Sequence, residues 1–387
     1  MSTTPGLLLE IGKSQLNKAG EELCGDAVEV ATTRDSTIII LSDGLGSGVK
    51  ANILASLTTK IAATMLKKGC TIDEVIATLA STLPVCKTRQ LAYSTFSILQ
   101  VFRDGRAYLA EYDNPAVFIG GGHVRPSIPA KERRVGERTI RETYFRLAEG
   151  DWLCLVSDGV LHAGIGGIWN LGWGWERVDS FVRQVAQRDL PAAEFAAEII
   201  GTCKQLYGGQ PGDDATVVTV KVHQPRRVTL LVGPPQDPAD DRRVVEKLCR
   251  AGGQKVVCGG TTGNMVARVL GRRIEVDLTS TTAEVPPIGR MEGIDLVTEG
   301  MITLMEAMQH LEKGTPLPRL HFRTDGASRL AALLMQSDLV HFIVGKAVNP
   351  AHQSPGIPPQ FALRPQIITD IARHLRRLGK KVTIEYH

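Results

Sequence analysis

Two architectures follow one another in this sequence: an α+β layered domain over residues 1–224, and an α/β domain with a mainly parallel, Rossmann-like sheet over residues 225–387. Three observations predict this. In the first half strand-like runs come in hairpin pairs and helices come in pairs, the pattern of antiparallel sheets covered by helices. In the second half strands and helices alternate one by one, the pattern of a parallel sheet. Between them lies His223-Gln224-Pro225-Arg226-Arg227, a short polar segment of the kind that marks boundaries.

In the first half, Ala27–Ala31 and Thr37–Leu41 read as strands joined by a turn at Arg34-Asp35. Apolar spacing predicts helices over Val49–Leu66 and Ile72–Thr82. Ser94–Phe102, Arg106–Tyr112, Ala116–Ile119 and Trp152–Ser157 read as strands, with Asp104-Gly105 as a hairpin turn. Helices at Trp175–Gln187 and Ala192–Tyr207 and a strand at Ala215–Val222 complete this half. The second half reads as strands Val228–Val232, Lys255–Cys258, Arg273–Leu278, Ile294–Val297, Leu339–Val344 and Lys381–Glu385. Helices at Asp241–Ala251, Asn264–Leu270, Gly300–Leu311, Ser328–Gln336 and Gln366–Leu378 separate them.

Composition narrows the function classes. The 387 residues are 43% hydrophobic and 22% charged, enough apolar material for packed cores. A net charge of +4 on so long a chain argues for neither nucleic-acid nor membrane binding. Lys131–Arg134 with Arg138 and Arg141 is locally basic and reads as a solvated loop. No stretch nears the ~18 apolar residues of a membrane span, and no signal peptide opens the chain. The seven cysteines include no Cys-x-x-Cys pair, which fits reduced thiols in the cytoplasm.

Four short segments carry the chemistry: Cys24-Gly25-Asp26-Ala27, Leu41-Ser42-Asp43-Gly44-Leu45-Gly46-Ser47-Gly48, Leu155-Val156-Ser157-Asp158-Gly159 and Gly212-Asp213-Asp214-Ala215-Thr216. Each places an aspartate at the end of a strand, where backbone placement is rigid enough for a metal site. Carboxylates and water suit hard cations such as Mg²⁺ and Mn²⁺. Glycine beside an aspartate lets a backbone carbonyl approach as a further ligand. Two such cations about 3.5–4 Å apart can clamp a phosphoryl group during in-line displacement. A single Asp-Gly is ordinarily a turn, as at Asp104-Gly105 and Asp325-Gly326; the signal is the set.

In order and context these segments resemble the metal-dependent type 2C protein phosphatase superfamily, in its bacterial branch typified by stage II sporulation protein E. Ser42-Asp43-Gly44-Leu45-Gly46-Ser47-Gly48 resembles the branch's glycine-rich turn. Leu147-Ala148-Glu149-Gly150-Asp151-Trp152 and Ser157-Asp158-Gly159-Val160 resemble its metal-aspartate strand, and Asp213-Asp214-Ala215-Thr216-Val217-Val218 its closing motif. Asn114-Pro115-Ala116-Val117-Phe118-Ile119 sits where a β-ribbon is expected. The match spans about residues 7–222.

The resemblance implies an α-β-β-α sandwich with two Mn²⁺ or Mg²⁺ ions between the sheets. Asp43 would bridge both metals, Asp158 and Asp213 would complete one site, and Asp26 with the Gly44 carbonyl the other. Asp43, Asp158 and Asp213 would be the catalytic set. The family's metal ligand lies three residues before the threonine, which selects Asp213 and leaves Asp214 outside the first ring of ligands. The implied activity is hydrolysis of phosphoserine or phosphothreonine by metal-bound hydroxide, on a regulatory protein such as an anti-sigma-factor antagonist. Eukaryotic members carry a histidine two residues after the bridging aspartate as leaving-group acid; here that residue is Leu45. His162 is a candidate substitute, although a lone histidine near a helix start is ordinarily structural. Lys13 and Lys18 are candidates for phosphate contact, against the plainer reading of solvated lysines. In this branch the helices at Val49–Leu66 and Ile72–Thr82 would couple a partner or the second domain to the site.

Two regions keep alternatives open. Ala163–Trp175 holds Gly164, Gly166, Gly167, Gly172 and Gly174 with Trp169, Trp173 and Trp175. It reads as a glycine-hinged flap over a protein substrate or as a connection tacked down by buried indoles. In the second half, Gly233-Pro234-Pro235, Gly259-Gly260-Thr261-Thr262-Gly263-Asn264 and Thr298-Glu299-Gly300 follow strands, where an open α/β sheet binds ligands. Thr261, Thr262 and Asn264 could hold an anion or simply cap a helix, and Cys258 could be a nucleophile or a buried small residue. A ligand-sensing module, with the first half as its regulated or inactive output, is therefore the competing function.

Overall fold

The computed structural model describes residues 6–82, 94–122, 130–135, 138–165, 169–283, 285–347 and 363–387. Cys86, Gly166 and Gly167 lie outside them. Two compact units divide the chain, Met1–Gln224 and Pro225–His387. Among the described residues, no helix is long and apolar enough to cross a membrane.

The first unit begins with β1 (Leu8–Leu16), β2 (Asp26–Thr32), β3 (Ser36–Asp43), α1 (Gly48–Lys67) and α2 (Ile72–Thr82). Then come β4 (Phe96–Phe102), β5 (Arg106–Tyr112), β6 (Phe118–Gly120), β7 (Lys131–Val135), β8 (Arg138–Arg146) and β9 (Trp152–Val156). The helices α3 (Asp158–Leu161), α4 (Trp175–Ala186) and α5 (Ala192–Leu206) precede β10 (Ala215–His223). The strands form two sheets, ordered β1-β10-β9-β6 and β2-β3-β4-β5-β8-β7, with antiparallel pairing throughout.

Side-chain alternation explains why both sheets are covered twice. On β3, Ile39 and Leu41 point between the sheets and pack with Leu99, Leu153, Leu155, Val218 and Val220. The intervening Ile38 and Ile40 pack under Ala62 of α1 and Val75 and Leu79 of α2. On β9 and β10, Cys154, Val156 and Val217 pack under Val178 of α4 and Phe195 of α5. Strands apolar on both faces need cover on both faces, and the result is the α-β-β-α sandwich.

Three segments differ from their sequence reading or settle it. The basic stretch is not a loop: Lys131–Val135 and Arg138–Arg146 form the edge hairpin β7–β8. Arg133 pairs with Glu142 (2.7 Å) and Arg141 with Glu111 (2.8 Å), so these cations compensate buried carboxylates on the sheet. Strand β1, which sequence patterning passed over, mixes polar and apolar residues because it lies at a sheet edge. Among the described residues of the tryptophan segment, the indoles are anchored. Trp173 is buried against Phe181, and Trp175 stacks on Phe118 and donates to the Ala116 carbonyl at 3.0 Å. The Arg177 guanidinium lies over Trp169. On α1, Val49, Ile53 and Leu57 stay exposed at four-residue spacing, while Ala51, Ala55 and Ala62 are buried.

The second unit comprises β11 (Arg227–Val232), α6 (Asp241–Arg250), β12 (Gln254–Cys258), α7 (Gly260–Leu270), β13 (Glu275–Asp277), β14 (Ile288–Met291) and β15 (Ile294–Thr298). It continues through α8 (Met301–Glu312), α9 (Leu317–His321), α10 (Gly326–Gln336), β16 (Leu339–Val344), α11 (Leu363–Arg377) and β17 (Lys381–Tyr386). The sheet order is β13-β14-β15-β12-β11-β16-β17. Strands β15 to β17 across this order are parallel, and β13 and β14 add an antiparallel edge. Leu230 and Phe342 pack toward α8, α10 and α11, whereas Leu231 and Ile343 pack toward α6 and α7. The fold is a mainly parallel sheet with helices on both faces.

Leu155 lies at the centre of the first sandwich, fully buried between the sheets. Leu155→Ala should destabilise the first unit by about 2–5 kcal/mol, the range for a truncated core leucine, read as a shift in its chemical-denaturation midpoint. An unchanged midpoint would contradict this packing.

Candidate metal centre

The centre forms where β2, β3, α3 and the start of β10 converge. In the β2–β3 hairpin, register places Asp26 directly opposite Asp43. Like charges facing each other across strands are destabilising, so the hairpin alone disfavours this pair. Asp26 is only 2% exposed, and neither of its carboxylate oxygens has a hydrogen-bond partner. The hydroxyls of Thr216 and Ser157 face it and ease its charge in part, but neither reaches full hydrogen-bond geometry.

Backbone contacts fix Asp43. Its carbonyl accepts from the Thr95 N–H (2.9 Å) and the Ser94 hydroxyl (3.0 Å). The chain then turns into α1 through Gly44, Gly46 and Gly48. A Cβ on Gly44 would lie 2.1 Å from the Ala51 carbonyl oxygen, and Gly46 has φ 103°, so both positions require glycine.

Asp158 opens α3, and Asp213 precedes β10. One ligand atom from each of Asp158, His162 and Asp213 lies within 4.8 Å of the others. His162 Nδ1 is 3.8 Å from an Asp158 oxygen. Tyr207 buttresses this side by donating its hydroxyl to the Gly159 carbonyl at 2.7 Å. A cavity of about 600 Å³ adjoins it, lined by His162, Ile165, Gln205, Leu206, Tyr207 and Asp213 among others.

Electrostatics join the two sides. Burial raises the Asp43 carboxyl far above the usual range, and Asp26, Asp158 and Asp213 raise it further. Burial, with Asp214 and Asp158, also raises Asp26. Asp213 is raised by burial and by Asp158, against a lowering from Lys18. The structure thus brings Asp26, Asp43, Gly44, Asp158 and Asp213 into one cluster. Lys18 stands beside Asp213; Lys13 is exposed on β1 opposite Val218.

Sequence reasoning underrated Asp214. It is 4% exposed, its Oδ1 accepts the Lys18 N–H at 2.9 Å, and its Oδ2 is buried without a partner.

Orphaned buried carboxylate oxygens with no arginine or lysine ion pair, among the described residues, are the donor set that hard divalent cations require. The residues present therefore fit Mn²⁺ or Mg²⁺.

The family model for Stage II sporulation protein E (SpoIIE) matches residues 33–223. Over this segment the chain is similar to the SpoIIE family. Similar solved structures include the PP2C phosphatase domain with a fragment of the regulatory domain of SpoIIE from Bacillus subtilis, at 22% identity and TM-score 0.48, covering 57% of this chain and 65% of that one. Others are the RsbU and RsbW domains of a Mycobacterium tuberculosis protein (16% identity, TM-score 0.46, 63% and 68% coverage) and the SiaA-PP2C domain of Pseudomonas aeruginosa (20%, 0.41, 54% and 85%). The chain thus spans 65% of the first of these structures. A comparison with curated proteins gives no match.

The second unit offers less. The Thr262 hydroxyl is buried and accepts the Gly233 N–H at 3.1 Å, and Asn264 lies within the body of α7. Cys258 is fully buried, and burial pushes its thiol up to about 12, which removes it as a nucleophile.

The raised carboxyls give a pH signature in the metal-free protein. An acid raised in the native state keeps a proton that the unfolded chain releases near pH ~4, so stability falls as pH climbs from there toward the raised value. Asp43→Asn should flatten that fall in calorimetric melts, leaving the variant the more stable form above the window. A variant that tracks the wild type at every pH would refute the electrostatic account.

Proposed function

We propose that this chain is a metal-dependent phosphoprotein phosphatase that hydrolyses phosphoserine or phosphothreonine on a regulatory protein. The observation that carries the reading is a cluster of aspartates, Asp26 buried and Asp43, Asp158 and Asp213 partly buried, with Asp213 lining a cavity. On this reading Asp43 serves two Mn²⁺ or Mg²⁺ ions, Asp158 and Asp213 complete one position, and Asp26 and the Gly44 carbonyl the other. When bound, the cations supply positive charge for the phosphoryl oxygens and acidify an attacking water.

The chain's own residues do the remaining work. The fixed backbone at Asp43 and Gly44 sets the site's geometry before substrate arrives. Lys18, beside Asp213, is placed to draw a phosphate toward the cluster. His162 stands at the cavity wall, where Leu45 supplies no acid, and is the protein group placed to protonate a departing serine or threonine alkoxide. The cavity offers room for the residues that flank a phosphorylated side chain. Family resemblance favours a small substrate of the anti-sigma-factor-antagonist kind, and a cytoplasmic setting accords with it.

The competing reading, a ligand-sensing module with an inactive output, gains no support from the site. Every aspartate of the expected set is present and clustered.

Full-length protein should turn over a phosphoserine peptide and p-nitrophenyl phosphate only with Mn²⁺ or Mg²⁺. Asp43→Asn and Asp158→Asn should each cost roughly 10²–10³-fold in kcat, the scale of losing an electrostatic stabiliser. Turnover independent of metal, or undiminished in Asp43→Asn, would sink the proposal.

A further inference from the structure

Asp213 and Asp214 are adjacent, yet they look in opposite directions. Asp213 gathers with Asp158 and His162. Asp214 faces the other wall: a Cβ on Gly25 would lie 2.8 Å from its Oδ2, and Gly25 is the residue before Asp26. Both lie just before β10, Asp213 in a bend of the chain.

We propose that Asp214 is a further carboxylate of the metal centre, serving the cation on the Asp26 side as Asp213 serves the one on the Asp158 side. The Asp213-Asp214 pair then spans both cation positions. This rests on the two-cation reading of the centre and is independent of the substrate.

A purely structural Asp214 would be there to accept the Lys18 N–H. That bond accounts for Oδ1 alone. An asparagine would make it equally well, without adding negative charge beside Asp26. The structural role leaves Oδ2 buried with no partner, next to an Asp26 whose two oxygens are also buried with none. Three orphaned acceptors on one wall are costly unless a cation occupies the space among them. Gly25 completes the case. Any side chain there would press on Oδ2, and the bare backbone keeps Asp214 and Asp26 on one open surface.

The test is Mn²⁺ titration of metal-free full-length protein by calorimetry and by electron paramagnetic resonance, with thermal melts alongside. Asp214→Asn retains the acceptor for Lys18. It should weaken one of two bound Mn²⁺ ions by about 10–100-fold, the loss typical of a supporting ligand, and leave the other little changed. Its metal-free melting temperature should equal or exceed that of the wild type. Gly25→Ala, which displaces Oδ2 without touching its charge, should weaken the same ion. Wild-type affinity for both ions in Asp214→Asn, or weakening of both ions alike, overturns the inference while leaving the phosphatase reading standing. A wild-type protein that binds no Mn²⁺ overturns both.

Discussion

The first unit depends on a repulsion. The β2–β3 register sets Asp26 against Asp43, and α3 and the start of β10 bring Asp158, Asp213 and Asp214 to the same place. Elsewhere the same unit neutralises its buried acids: Glu111 has Arg141, and Glu142 has Arg133. At the aspartate cluster no arginine or lysine ion pair is found among the described residues. A protein that could place arginines on two carboxylates of one sheet but leaves this group bare has kept room for charge from outside.

The sandwich holds such a group together because its strands are fixed on both faces. Ile38 and Ile40 are held by helices while Ile39 and Leu41 are held by the opposite sheet, so β3 is packed tightly on both faces. That lock delivers Asp43 to its position. The Ser94 and Thr95 bonds to its carbonyl, and the close approach of Gly44 to Ala51, then set the turn. Packing energy spread over the core thus offsets strain concentrated at one edge of the sheets.

The second unit is built on different principles and has less visible chemistry. Its parallel strands bury both faces under helices, and its glycine turns serve close backbone approach: a Cβ on Gly345 would fall 1.9 Å from the Pro234 carbonyl oxygen. Turns that look like ligand loops in a sequence here include ones closed by their own backbone. Cys258 and Thr262 belong to that packing.

The sequence by itself determined the layered architecture of both units and singled out Asp26, Asp43, Asp158 and Asp213, though not Asp214, because alternation, glycine turns and strand-end acids are local signals. Four segments nearly 190 residues apart at their extremes, from Asp26 to Asp214, are each readable in isolation. Only the tertiary structure decided what surrounds them. It turned the basic stretch at Lys131–Arg141 into a sheet-edge hairpin, because the carboxylates that need those arginines lie on other strands. It anchored Trp173 and Trp175 on partners remote in sequence. It also buried Asp214 against Gly25, a contact whose two sides are distant in the chain and which no periodicity records. Burial, orphaned oxygens and raised carboxyls are properties of the neighbourhood, and neighbourhood is what folding adds to sequence.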